Sequence, residues 1–523
     1  MAGLTRRNFL MGAGALTAAG LAAGAGVPAF AATGDPVEVG ALIIGAGYAG
    51  AVAALRLSQA GVCTVLLERG RRWPITPAGD TFAEPWTPDG RAAWMSTSFP
   101  VPRYAGVLEQ LDGNGVFVHN GAGVGGGSLV NNGVTLQPIR AQFEASFGTR
   151  LDYDEMNRIW YPRARRLLGA APIPDDVLAS DPYFSARMFK EEATAAGLEA
   201  FRPDVLVDWN VVRQELAGKV RASAIAGLGG WGMNSGAKLS VDRTIMPAAE
   251  RTGKVTVRTL HQVTGLRREG DRYLVECERI SETGEVLERP RFSARYVFLA
   301  AGSTGTSQLL VKAKGRGTLP RLNDQVGRLW GPGSELETIR VGEPYQPTNG
   351  GPAAMSLKDW GNPDGPVTLG SFPSGPSPEG GGISAAVAVV PAPPLGSFSY
   401  DAAADSVTLN WPSSDPAVVK LNTAVAGTLN RLNAANPGTR TYHLNAGGTP
   451  LSLGGAVLGA VTDSFGQVQG YPNLFVIDSS LIPGTTGAVP PSLTVTALAD
   501  RCVTAALIRI AGVRSPFAAA HQE

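Results

Sequence analysis

The chain has little of what a metal cluster or a disulfide scaffold needs: three cysteines and four histidines in 523 residues. Cys63, Cys277 and Cys502 lie far apart with no C-x-x-C spacing, which excludes a zinc ribbon or a thioredoxin-like motif and leaves no metal site visible. An excess of one charge is missing too. The 45 lysines and arginines are balanced by 44 aspartates and glutamates, so nothing marks a nucleic-acid or acidic-polymer surface. No internal repeat or low-complexity tail breaks the pattern, and aromatics stay at 7%. What is plentiful is glycine, at 67 residues, and proline, at 38, a composition that suits a loop-rich enzyme better than a helical bundle. The length allows two substantial cores sharing an interface.

The first residues read as a targeting segment. Thr5-Arg6-Arg7-Asn8-Phe9-Leu10 precedes an Ala/Gly-rich apolar run from Met11 to Val27, and Ala29-Phe30-Ala31 offers a small-x-small cleavage site. Paired arginines ahead of a mildly apolar core resemble a twin-arginine signal over residues 1–32. The run is glycine-diluted and short for a span, so no stable membrane segment is expected, and the mature chain is expected to be secreted.

The rest is organised around Val39 to Gly50. An aliphatic run ending at Ile44 reads as a buried parallel strand and breaks into Gly45-x-Gly47-x-x-Gly50, ahead of a helix from Ala51 to Gln59. The first glycine permits a tight turn and the second lets backbone approach a diphosphate. The third lets the helix pack on the strand. Val62 to Leu67 reads as the next strand and ends in Glu68, about 20 residues on, where a carboxylate holds a ribose hydroxyl. The context therefore predicts an adenine dinucleotide site.

Residues 71–118 read as loops covering it, and Gly121 to Gly133 as a second glycine-rich turn between strand-like Val116–Val118 and Leu129–Val130. His119 beside that turn reads as a structural histidine. Residues 151–200 show helical spacing, and 254–300 return to strands that end in Ala300-Ala301-Gly302 before an apolar segment. Residues 331–440 read mostly as glycine- and proline-rich loops, with strands at Ile383–Val390 and Ser406–Trp411. The last elements are a strand at Leu474–Asp478 and a helix from Leu493 to Ala511 closed by Gly512. Cys63 falls in an expected buried strand and Cys502 in this helix, both as small hydrophobes.

With these residues placed, the chain resembles the bacterial cholesterol oxidases of the flavin-dependent glucose-methanol-choline oxidoreductase family. The resemblance rests on Gly45-Ala-Gly-Tyr-Ala-Gly50, Gly123-Val-Gly-Gly-Gly-Ser-Leu-Val-Asn131, Lys254-Val-Thr-Val-Arg-Thr-Leu-His-Gln-Val263 and Gly315-Arg-Gly-Thr-Leu-Pro320. It continues in Phe398-Ser-Tyr-Asp401, Leu409-Asn-Trp411, Tyr471-Pro-Asn-Leu-Phe-Val-Ile-Asp-Ser-Ser-Leu-Ile-Pro-Gly484 and Thr494-Val-Thr-Ala-Leu-Ala499. It implies an α/β fold with a Rossmann-like FAD-binding domain built from discontinuous segments, 36–150, 226–330 and 446–523. A substrate domain, 151–225 and 331–445, would be inserted as a mixed or antiparallel sheet covered by helices. It also implies FAD without a metal, held by Gly45, Gly47, Tyr48, Ala49, Gly50, Glu68, Gly127, Asn131, Asn132, Val134, Val263, Asp478 and Ser479. The expected partners are a hydrophobic substrate such as a sterol and molecular oxygen or another electron acceptor, with the protein a monomer.

The chain departs from this family where protons are handled. Leu451 stands where the family has a histidine, in Leu451-Ser-Leu-Gly-Gly455. Pro490 stands at its flavin-facing asparagine and Ser492 at its phenylalanine. Asn132 and Val134 replace a glycine and a methionine. The family's isomerisation glutamate has no counterpart, since no acid lies between Glu379 and Asp401. Leucine and proline offer no side-chain proton acceptor, and general acid–base help is worth roughly 10²–10⁴-fold. His443, Ser452 and Asn132 are the residues left to take over. The readings that stay open are an altered oxidation of a bulky alcohol, a flavoenzyme turned to another reaction in secondary metabolism, and a silent flavoprotein that binds a hydrophobic ligand.

Overall fold

The strand Val37–Ile44 passes from exposed to buried along its length, its last four residues being Ala41, Leu42, Ile43 and Ile44. It is flanked in parallel by Thr64–Leu67 and Arg291–Leu299, with Val255–Arg258 beyond the former and Leu474–Val476 beside the end of the latter. A parallel sheet covered on both faces needs such continuous aliphatic runs. An antiparallel arm, His261–Glu269, Arg272–Ile280 and Val286–Glu288, leaves the start of Arg291–Leu299 and completes eight strands. The computed structural model describes residues 34–96, 100–333, 335–348, 350–351, 354–378, 380–443 and 448–512, and the expected signal at 1–32 lies outside them.

The helices Tyr48–Gln59 and Ser492–Ala511 pack together over this sheet. Asp500, fully buried, locks them. Its carboxylate accepts from Arg56 Nε and Nη2 at 2.7 and 2.9 Å and from Arg163 Nε and Nη2 at 2.8 and 3.1 Å. Gly512 ends the last helix in the left-handed region, at φ +62°, as expected of a C-terminal glycine.

The second sheet has six antiparallel strands in the order Arg440–His443, Glu335–Glu343, Gly382–Val389, Val367–Pro376, Ser356–Asp359 and Glu199–Phe201. Alternation gives it two faces. Ala386, Ala388 and Leu369 enter a second core together with residues of the helices Phe184–Ala195 and Pro416–Ala435. On that face Arg340 is fully buried between Glu192 and Glu343, at 2.8 and 2.5 Å. The opposite face carries Ile339, Ala385, Val387 and Phe372 and lines a cavity. The helix Tyr161–Leu168, grouped above with the substrate domain, and Phe398 and Leu409 of the hairpin Ser397–Asp401/Ser406–Asn410 pack into the first core instead.

Several expectations need correction. The first helix starts at Tyr48, not Ala51, because Gly47 already serves as its N-cap. Leu108–Gly113 is a strand rather than loop, and pairs as a hairpin with Val116–Gly121, which contains the expected strand at Val116–Val118. Leu129 belongs to a single 3₁₀ turn, Gly126–Leu129, since Gly125 and Gly126 at φ +122° and +52° curl the chain away from a strand. Cys63 is exposed, one residue ahead of the strand Thr64–Leu67. Residues 331–440 hold far more regular structure than their composition suggests. Pro373 and Gly375 are tolerated in Val367–Pro376 because the register shifts between them, as at a bulge. The 20-residue helix Pro416–Ala435 is started by Asp415, whose side chain accepts the Ala417 N–H at 2.8 Å, with proline in its first turn.

Candidate active site

The three glycines of the first turn do three different things. Gly45 sits at φ +101° and lies against the Ala300 carbonyl, so a side chain is excluded by both strain and space. A methyl on Gly50 would strike the Gly45 carbonyl, which is the close helix–strand approach expected of the third glycine. Gly47 differs. The nearest atom to a β-carbon there is Gly126 Cα at 3.9 Å, so its front opens into the cavity. Gly127, on the facing turn, has nothing within 4 Å of such an atom.

Glu68 ends the second strand and is buried at 6% exposure. Its carboxylate accepts N–H groups from Ala46 at 2.9 Å, Gly70 at 2.8 Å and Gly123 at 3.3 Å. Burial pushes its pKa up, while the amides and the Arg69 guanidinium pull it down. It thus clamps the first glycine turn to the second, 55 residues away, while lining the cavity. Asp478 does the same on the other side. It accepts from the Gly302 amide at 2.9 Å, the Thr306 hydroxyl at 2.6 Å and the Ser480 amide and hydroxyl at 2.9 and 2.6 Å. Ser479 Oγ accepts from the Ser303 amide at 2.9 Å. These bonds fix the N-terminus of the helix Gly302–Gly315 against the strand that ends in Val476.

One continuous cavity of about 1180 Å³ joins these turns to the open face of the six-stranded sheet. Its wall includes Gly45, Gly47, Tyr48, Ala49, Glu68, Gly127, Asn131, Asn132, Val134, Val263, Asp478 and Ser479, so twelve of the thirteen residues expected along a cofactor are brought together. Gly50 is the exception, being used to seat the helix. Asn131 Nδ2 donates to Tyr48 Oη at 2.6 Å, tying the second turn to the first helix. Burial raises the Tyr48 phenol pKa.

The positions of departure surround the same space. Leu451, Ser452, Pro490 and Ser492 all line it, and the Ser492 hydroxyl is buried without a partner among the described residues. Strand register sets His443 opposite Thr338, and its side chain lies outside the described residues. His119 and His261 do line the cavity, and burial lowers the pKa of both. His119 lies 5.2 Å from the Phe117 ring, and His261 Nδ1 is 2.7 Å from the Thr259 carbonyl.

Two residues were not foreseen. Lys238 is buried at 4% exposure and donates to the carbonyls of Asn131 and Gly229, the latter at 2.8 Å. Burial pushes its pKa down to about 7. It sits in Gly236-Ala-Lys-Leu, which shows no periodicity to point at it. Glu337 lines the cavity from the six-stranded sheet. Polar residues on both faces of Glu335–Glu343 left no alternation that could reveal it.

Comparison with known proteins agrees with this arrangement. Family models described as GMC oxidoreductase match residues 39–328 and 402–499. A cholesterol oxidase of Mycobacterium tuberculosis is 28% identical over 541 residues, spanning 88% of this chain and 89% of that protein. A cholesterol oxidase of Acinetobacter baumannii is 26% identical over 307 residues, spanning 55% and 52%. Among solved structures, a fungal aryl-alcohol oxidase aligns with TM-score 0.60 at 14% identity over 89% of this chain and 98% of its own. Pyridoxine 4-oxidase from Mesorbium loti gives 0.58 at 16% identity, over the same shares. These last two speak for the fold alone. The longer family match spans more than half of the sequence and takes in both glycine turns, and by it the chain belongs to the FAD-binding GMC oxidoreductases.

Proposed function

We propose that this protein oxidises the hydroxyl group of a sterol or another bulky hydrophobic molecule, with a proton-handling site rebuilt relative to cholesterol oxidase. The observation that carries the reading is the single cavity that runs from the glycine turns to an apolar sheet face. The residues present fit FAD. Gly47 and Gly127 leave open backbone where a diphosphate would lie, at the N-terminus of the helix Tyr48–Gln59. Glu68 stands beside them for a ribose, and Asn131, Asn132 and Val134 line the continuation of the cavity. When bound, FAD supplies the hydride acceptor and passes electrons on to oxygen or another acceptor.

The chain's own part is to position the substrate. Lys238 and Tyr48 hold Asn131, which sets the neighbouring Asn132 amide in the cavity wall. Ser452 and Asn132 orient the substrate hydroxyl through hydrogen bonds. Neither is a strong base, so proton removal depends on solvent or on a weakly assisted step, and turnover is slower than an active-site histidine would allow. The twin-arginine segment supports export of the folded, flavin-loaded monomer.

The test is anaerobic. The mature, flavin-loaded chain is mixed with 3β-hydroxysterols while the yellow absorbance is followed. Bleaching supports hydride transfer, and Ser452→Ala and Asn132→Ala should then slow it. If the colour survives sterol but not dithionite, sterol oxidation is refuted. A different donor, or a flavoprotein that binds without turnover, then moves ahead.

A further inference from the structure

Among the described residues five carboxylates line the cavity, and four of them are engaged by this chain. Glu68 takes backbone amides, Glu109 pairs with Arg69 at 2.7 Å, Asp405 with Arg316 at 2.8 Å and Lys312 at 3.0 Å, and Asp478 with the helix that starts at Gly302. The Glu337 side chain has no hydrogen bond or ion pair among the described residues. Its cross-strand neighbour is Val387, which in turn faces Gly370, and Ile339 follows it on the same face. The free surface of the side chain opens into the cavity. Glu337 is exposed, and among the described residues its carboxyl has its hydrogen-bonding capacity unspent, so it stands available to a molecule bound against this face.

The position of Glu337 separates it from the reacting end. A β-carbon on Gly333 would lie 2.7 Å from Leu451 Cβ, so the chain enters this sheet beside the departed histidine position. Val387, the cross-strand neighbour of Glu337, is two residues along from Val389, whose own neighbour Thr368 donates to the Ala488 carbonyl near Pro490, so about 7 Å of strand separates Glu337 from that end. We infer that Glu337 is a substrate-specificity residue that hydrogen-bonds an oxygen, hydroxyl or carbonyl, on the body of a bulky apolar substrate, away from the carbon that is oxidised. The substrate class is therefore an oxygenated steroid-like alcohol rather than a plain sterol. This rests on the proposed function and narrows it.

The surroundings favour a neutral oxygen over a cationic group. Burial raises the Glu337 pKa, so the carboxyl holds its proton to a higher pH than usual and can donate to a carbonyl or accept from a hydroxyl. Arg340 and Glu343 pair with each other on the other face, Arg340 also reaching Glu192. The strand Gly382–Val389 carries no titratable residue, and neither does Val367–Pro376. Glu335 precedes Glu337 by two residues. On the edge strand Arg440, Tyr442 and His443 stand opposite Val341, Ile339 and Thr338. On Ser356–Asp359, Lys358 pairs with Glu199, and Asp359 with Arg431.

The test measures binding, not turnover. The oxidised, flavin-loaded protein is titrated calorimetrically with pairs of 3-oxo steroids, already oxidised at C3, that differ only by an oxygen at C11 or C17. The wild type should bind the oxygenated member of at least one pair about tenfold more tightly. Glu337→Leu should erase that preference, Glu337→Gln should keep most of it, and raising the pH should weaken binding of the carbonyl ligand. An unchanged preference in Glu337→Leu would overturn the assignment while leaving the apolar chamber intact. So would preferred binding of a 17-amino steroid that strengthens with pH. If no steroid of either kind binds, the proposed function fails and this assignment fails with it.

Discussion

Replacing Lys238 with methionine tests whether a buried cation really braces the second glycine turn. In the folded chain burial lowers the lysine pKa from 10.5 to about 7, whereas in the unfolded chain it returns to its ordinary value. Between those two values the unfolded state holds a proton that the folded state has shed, so stability rises with pH across the window and is flat below it. At 1.36 kcal/mol per pH unit, the gap is worth about 5 kcal/mol. Methionine removes this dependence. It also strands the Asn131 and Gly229 carbonyls, at about 1–3 kcal/mol each. Near pH 7 the two effects offset, and the variant should be within a few kcal/mol of the wild type. Near pH 10 only the lost hydrogen bonds remain and the variant should be clearly weaker. The assay is urea unfolding of both flavin-loaded proteins at pH 7, 8, 9 and 10, read as the difference between them so that other titrating groups cancel. The wild-type advantage should grow by about 1 kcal/mol per pH unit. A difference that stays flat from pH 7 to 10 would show that Lys238 does not titrate there, and would refute the argument from burial.

The glycines of the first turn separate binding from folding. Gly47→Ala meets open space at φ −78°, so circular dichroism should be unchanged while flavin retention after desalting falls at least tenfold, because the methyl occupies the diphosphate's approach. Gly50→Ala instead drives a methyl into the Gly45 carbonyl and should cost about 1–3 kcal/mol of stability in denaturant titrations, with or without added FAD. Asp500→Asn leaves Arg56 and Arg163 facing each other with a neutral amide between them. It should destabilise the fold by about 3–5 kcal/mol in the same titrations.

The nucleotide half was legible because its information is local. The spacing of Gly45, Gly47 and Gly50 and the acid at the end of the next strand sit within 24 residues, and each constraint acts on its near neighbours. What Glu68 does with Gly123 is not local, and no pattern in either segment announces that bond. The substrate sheet was hidden for a different reason. In Glu335–Glu343 a buried Arg340 and a cavity-facing Glu337 occupy opposite faces, so polar residues fall on both and the usual inside–outside alternation is lost. In Val367–Pro376 the bulge at Pro373 and Gly375 erases the strand signature. Cys63 was misplaced because Val62-Cys-Thr-Val reads as one apolar run, while pairing with Val37–Ile44 begins only at Thr64. The departures at Leu451 and Pro490 were visible from their fixed flanks, and the structure puts both on the cavity wall.

The two faces of the six-stranded sheet also bear on how this protein can change over time. Leu369, Ala386 and Ala388 are enclosed by helices, and trimming or enlarging residues of that kind loosens the whole layer. Ile339, Phe372, Ala385 and Val387 border an open chamber instead. Substitutions among them reshape a void and leave the scaffold standing. One layer of strands therefore separates heritable variation in ligand choice from variation in foldedness. A library confined to those four positions should yield a high fraction of soluble, yellow variants with divergent ligand preferences.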